Sequence, residues 1–162
     1  ALHLTDFMEG RGRPSVSGPV DGEGRRSVYL AVRRNFPHPF LQVFDTPPPA
    51  TTMGRRSVSN VPAQALTLLN DPFVLGEAER WGSRVAASGA GTEDRVRGMY
   101  LAAFGREPDV DELADAVAFV STRCAEYDSL RAEHAPRGED DPRAWSALAH
   151  VLFNLKEFIY VD

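Results

Sequence analysis

Residues 62–105, PAQALTLLNDPFVLGEAERWGSRVAASGAGTEDRVRGMYLAAFG, decide the fold class. Leu66, Leu69 and Phe73 recur at i, i+3 and i+7, and Val74, Ala78, Trp81 and Val85 at i, i+4, i+7 and i+11. Both spacings gather apolar side chains on one face of a helix. Pro72 cannot sit inside one continuous helix, because it lacks an N–H and its ring clashes with the preceding turn. Asp71 as N-cap and Pro72 at the first helical position therefore predict one buried helix over 62–70 and a second starting at once. The SGAGT run at 88–92 closes that second helix. Thr92 is expected to cap a third, with Val96, Met99, Tyr100, Ala103 and Phe104 on its inner face. Gly105 stops it, in the left-handed conformation that helix C-termini favour.

The pattern stays helical to the end. Asp109 and Glu112 have capping-box spacing, and Leu113, Val117, Val120 and Cys124 line the helix that follows. EHAPRGEDD, residues 133–141, reads as an exposed acidic loop. Asp141-Pro142 then opens a last helix with Trp145, Leu148, Leu152, Leu155 and Ile159 along one stripe.

The front of the chain differs. Residues 10–26 are rich in glycine and polar residues and read as loop. SVYLAVRRNF, from Ser27, alternates Ser27, Tyr29 and Ala31 with Val28, Leu30 and Val32, a strand pattern whose best partner is ALHLTDF at the start. Phe40, Val43 and Phe44 suggest a short helical turn before a proline-rich stop. The expected fold is mainly α, four to five helices around one core with a small β element near the N-terminus. Residues 1–162 are expected to form a single domain, loop-rich with a short strand over 1–61 and helical over 62–162. The start at Ala1, in mid-pattern, reads as the C-terminal part of a larger protein.

A hydrophobic share of 43% and a charged share of 25% suit a globular domain of 162 residues. No apolar run reaches the ~18 residues a membrane helix needs, so no membrane span is expected. ALHLTDFMEGRGRP at the start has acids and glycines where a signal peptide requires an apolar core. Residues 1–60 carry eight arginines against five acids, and the remainder ten basic against eighteen acidic residues. That acidic remainder and a pI near 5.4 argue against a nucleic-acid partner. Cys124 is the single cysteine, which excludes an internal disulfide, a Cys-x-x-Cys-His haem attachment and a four-cysteine zinc site. Its place in an apolar helical pattern marks it as a core residue.

Chemistry-bearing patterns are sparse. His3, His38, His134 and His150 are far apart, with no His-x-x-x-His pairing on a helix face. His150 and Met99 make a conceivable but weak axial pair for haem. The serines at 27, 57 and 59 stand beside arginines rather than histidine, where a nucleophile would need a base. Paired acids at 93–94 and 111–112 open helices, where the dipole favours negative charge. No catalytic or metal site is expected, and no cofactor within this chain. The arginine pairs Arg25-Arg26, Arg33-Arg34 and Arg55-Arg56 could bind anions through paired hydrogen bonds. Equally, they could pair with acids such as Asp45 and Asp71 and fasten loops.

The blocks GRRSVYLAVRRNF, FLQVFDTP, SVSNVPAQALTLLNDPFV, AFGREPDVDEL and LFNLKEFIYVD, in that order, resemble the C-terminal domain of unknown function of large planctomycete-type exported proteins. HLTDFMEGRGRP and GPVDGEG fit the segment leading into the Arg-Arg-Ser strand, so the resemblance runs from about residue 3 to the end. It implies export to the periplasm or cell surface, upstream domains of the same protein as partners, and haem only in a companion cytochrome c domain. It supplies no assigned active site. The expected role is a non-catalytic structural or interaction domain. The alternative is part of an exported oxidoreductase acting on polysaccharide or another polymer, with the arginine pairs on anionic groups of an anionic polysaccharide.

Overall fold

The structure, a computed structural model, describes residues 27–29, 38–47, 54, 61–130 and 137–159. Seven α-helices occur among them: α1 Pro39–Val43, α2 Val61–Asn70, α3 Pro72–Ala86, α4 Thr92–Phe104, α5 Val110–Ser129, α6 Pro142–Phe153 and α7 Lys156–Ile159. The mainly α expectation holds, and the five longest helices, α2 to α6, are those the periodicity outlined. The short α1 and α7 take the number past the expected four or five.

No strand occurs among the described residues. Ser27–Tyr29 form a single 3-10 turn, so the expected strand fails there. Alternation supplies a two-faced pattern but no ladder partner, and an unpaired strand is not stable alone. Residues 30–32 and the expected partner at 1–7 lie outside the described residues.

Two compact units make up the chain, Ala1–Phe73 and Val74–Asp162. In the first, Phe40 of α1 packs its ring 5.0 Å from Phe44 and edge-on to Phe73 at 5.6 Å. The buried Gln64 side chain of α2 donates to the Val43 carbonyl at 3.1 Å and fastens α1. Asp45 follows at φ 57, a left-handed conformation that aspartate tolerates. The buried face of α2 is not the expected one. Gln64 and Leu68 are buried, whereas Leu66 and Leu69 are 61% and 48% exposed. Apolar spacing does not by itself choose the inner face of so short a helix, and here Gln64 turns inward to bond Val43. At the α2–α3 corner, Asp71 Oδ1 accepts the Phe73 N–H at 2.9 Å, the cap that Asp71-Pro72 predicts.

The second unit holds the main core. Val96 and Met99 of α4, Val120 and Cys124 of α5, and Trp145 and Leu152 of α6 are all buried, with Ala78 of α3 against them. The interior faces expected for α3, α4 and α5 are thus the observed ones, and Cys124 is a core residue. Gly82 brings α3 against α6: a Cβ there would stand only 2.5 Å from Ser146 Cα. Trp81 of α3 stacks on Phe153 at 5.5 Å in the same contact.

Caps fix the ends. The capping box at α5 is complete, with the Glu112 N–H donating to Asp109 and the Asp109 N–H donating to Glu112. Gly105 closes α4 at φ 71. Thr92 is not the cap of α4: Gly91 holds that place, and Thr92 is the first helical residue, its hydroxyl on the Glu139 carboxylate. At the end of α5, the Asp128 carboxylate accepts the N–H groups of Arg137 (2.9 Å) and Gly138 (3.0 Å). The acidic loop is exposed over 137–140, but Asp141 is fully buried, its carboxylate capping α6 through the Arg143 N–H. The single stripe expected from Trp145 to Ile159 is broken at Asn154, where α6 ends and a turn leads to α7.

Candidate functional site

The six arginines singled out by the sequence, Arg25, Arg26, Arg33, Arg34, Arg55 and Arg56, lie outside the described residues. So do His3 and His134. Among the described residues, the polar side chains gather instead at three arginines of the second unit.

Arg106, in the turn between α4 and α5, is the most heavily bonded. Its Nη1 and Nη2 donate to the two Glu112 oxygens at 2.7 and 2.8 Å, and its Nε and Nη2 to the two Glu157 oxygens at 2.8 and 2.7 Å. Nη1 also donates to the Glu107 carbonyl at 3.1 Å. A guanidinium has five N–H groups in a planar fork, and this arrangement uses all of them. The rings of Phe104 and Tyr100 lie under the cation at 5.8 and 5.9 Å. Two paired carboxylates hold the Arg106 guanidinium charged well above its ordinary range. The Arg106 hydrogen bonds, then the Asp109 N–H, pull Glu112 down to about 2. Glu157 is lowered by the same guanidinium. Burial, then the Glu112 charge, raises the Tyr100 phenol.

Arg95 is buried on α4. Its Nη2 donates to Asp140 at 2.8 Å and its Nη1 to the Glu139 carbonyl at 3.2 Å, while its cation lies 5.4 Å from the Trp145 ring. Trp145 Nε1 donates to the same Glu139 carbonyl at 2.7 Å, so one carbonyl orders both side chains. The Arg95 Nε–H has no acceptor among the described residues.

Arg143 pairs with the buried Asp141, Nη2 to Oδ2 at 2.6 Å and Nε to Oδ1 at 3.0 Å, and covers the Tyr127 ring at 4.3 Å. The Arg143 hydrogen bond keeps the Asp141 carboxyl below its ordinary range. Beside this pair runs an open groove of about 460 Å³ between α3, α5 and α6. Leu75, Ala78, Pro142 and Ala147 supply its apolar lining, and Glu79, Ser83, Ser146 and His150 its polar lining. The Arg143 guanidinium in it is already paired, so the groove carries no unmatched cation. Met99, the other half of the conceivable haem pair, is buried in the core. No three His, Cys, Asp or Glu residues among those described stand close enough to hold a metal ion. None of the helices described is long and apolar enough to cross a membrane.

A family model described as PSD1, a protein of unknown function (DUF1553), matches residues 8–120. The chain belongs to the PSD1 family. The match covers α1 to α4 and the first half of α5, and so includes Arg106 and its partner Glu112. The domain of unknown function expected from the sequence is thereby found. No curated protein and no solved structure matches the PSD1 chain.

Arg106 lies outside the arginine pairs that the sequence sets apart. A signal was present: a lone arginine directly after the stop glycine and three residues before a capping box, where Glu112 has acceptor capacity to spare. Glu157, 51 residues away, gave no local sign.

Proposed function

We propose that this chain is a non-catalytic structural or interaction domain of a large exported, cytochrome-c-associated protein. Its partners are the upstream domains of that protein, and haem resides in the companion domain. The observation that carries this reading is the Arg106 cluster, in which all five guanidinium N–H groups meet acceptors of the chain itself. Arg143 is likewise paired to Asp141. Such internally matched charges hold helices together.

Calorimetric titration of the chain with the separately expressed upstream domains tests the proposal. Saturable binding without turnover is expected. Electron transfer from a polysaccharide to an acceptor, dependent on this chain and lost in Arg55→Ala or Arg56→Ala, would replace it with the oxidoreductase alternative. Under that alternative, anionic polysaccharide raises the melting temperature in a salt-sensitive way through the arginine pairs.

A further inference from the structure

The charge of Arg143 is matched by Asp141, but its donors are not used up. Its Nε–H and one N–H of Nη2 go to the Asp141 carboxylate. The second Nη2 N–H and both of Nη1 meet no acceptor among the described residues. Asp141 is fully buried, whereas the Arg143 side chain is 46% exposed and lines the groove between α3, α5 and α6. The bonded edge of the guanidinium is therefore the inner one, and the open edge is turned toward the groove. The Tyr127 ring, 4.3 Å away, and the buried carboxylate fix the plane of that fork.

Arg106 shows what a guanidinium held in this way can still bind. Glu157 takes its Nε and Nη2, and a second carboxylate, Glu112, takes Nη1 and Nη2. Asp141 holds the same edge of Arg143 that Glu157 holds on Arg106, and no described residue stands where Glu112 would. The Nη1–Nη2 edge is a carboxylate seat left open.

Helix α3 supplies the opposite charge. Glu79 lines the same groove, is exposed, and its carboxylate has no partner among the described residues. A bare carboxylate ligand would add a second unmatched negative charge beside it, whereas a zwitterion brings its own cation for Glu79. Leu75, Ala78 and Ala147 give the apolar lining for its body. The lining runs from Leu75 to Ser83 on α3 and from Pro142 to His150 on α6, about 12 Å of helix on either wall. Two extended residues with a hydrogen bond at each end reach about 13 Å, and a single amino acid falls short.

We propose that this groove binds a free apolar dipeptide, with its carboxylate on the open edge of Arg143 and its ammonium on Glu79. The site goes beyond the interaction reading above and does not depend on it.

Calorimetric titration of the full chain with leucyl-leucine tests the proposal. Saturable binding is expected, about ten-fold weaker for the N-acetylated and for the C-amidated dipeptide. Glu79→Gln, an exposed change that leaves the core untouched, should weaken leucyl-leucine about ten-fold and leave the acetylated form unmoved. Arg143→Lys keeps a cation for Asp141 but has no second fork, so it should weaken the free dipeptide and spare the amidated one. No saturable heat with millimolar leucyl-leucine, equal affinities of free and capped dipeptides, or an affinity unchanged in either variant would overturn the proposal. The upstream domains take no part in this titration, so its failure and the failure of the interaction reading are separate results.

Discussion

The contact between α3 and α6 makes one substitution, tried at two glycines, a sharp test of the packing. A Cβ at Gly82 would stand 2.5 Å from Ser146 Cα and comparably close to its N and Oγ. Backbone cannot rotate aside as a side-chain tip can, so Gly82→Ala must push the helices apart by about 1 Å, the difference from a normal contact distance. Overpacking of this kind costs about 1–3 kcal/mol. The upper end applies, because the same displacement loosens Ala78 and the Trp81–Phe153 stack on either side. Replacing glycine by alanine in a helix returns about 1 kcal/mol of propensity. The net loss is about 2 kcal/mol, which lowers the melting temperature by roughly 4–8 °C at this chain length. Gly98 of α4 is the control: it is exposed, and a Cβ there meets nothing within 4 Å. Gly98→Ala should raise the melting temperature by roughly 2–4 °C. Calorimetric scans of the three proteins decide the matter. A Gly82→Ala variant that melts at or above the wild type would refute the close approach of α3 to α6.

Other expectations follow from burial and charge. Leu152 is buried and Leu101 is 57% exposed, so Leu152→Ala should cost about 2–5 kcal/mol and Leu101→Ala less than about 0.5 kcal/mol in urea unfolding. Glu112 is lowered to about 2 in the folded state, so the stabilisation from its ionised form is whole above its unfolded value of about 4.3 and is lost as pH falls through about 2. Urea midpoints of wild type and Glu112→Gln should therefore differ at pH 7 and converge on approach to pH 2. A constant gap would mean that the Arg106 pairing is not the source. Cys124 is buried and burial raises its thiol, so an aromatic disulfide reagent should label it only on unfolding; labelling of the native chain at the rate of a free thiol would contradict its place in the core.

What the sequence disclosed and what it withheld follow a physical division. Helices α3, α4 and α5 were legible because their apolar repeats, Val74 to Val85, Val96 to Phe104 and Leu113 to Cys124, are long, and their ends carry local signals in Asp71-Pro72, Gly105 and Asp109. Those signals act within a few residues, where chain geometry alone sets the partners. The inner face of α2 was not legible because it includes Gln64, a polar residue whose partner, the Val43 carbonyl, is a tertiary one. The break after Phe153 was hidden because Leu155 and Ile159 continue the helical spacing, while the Asn154 side chain that closes α6 is a single polar residue. At the candidate site, Glu112 was visible as a cap. Its second role, orienting Arg106 toward Glu157, required the fold to bring residues 106 and 157 together.

The clasp made by Asp128 has a bearing on how the start of α6 is placed. One carboxylate at the end of α5 takes hold of the backbone at Arg137 and Gly138, immediately before the turn that supplies Glu139, Asp140 and the α6 cap Asp141. The entry to α6 is thus registered against α5 by that grip. Asp128 therefore carries the position of α5 into the cap of α6, and a change at this one carboxylate is felt at Asp141 and the first turn of α6.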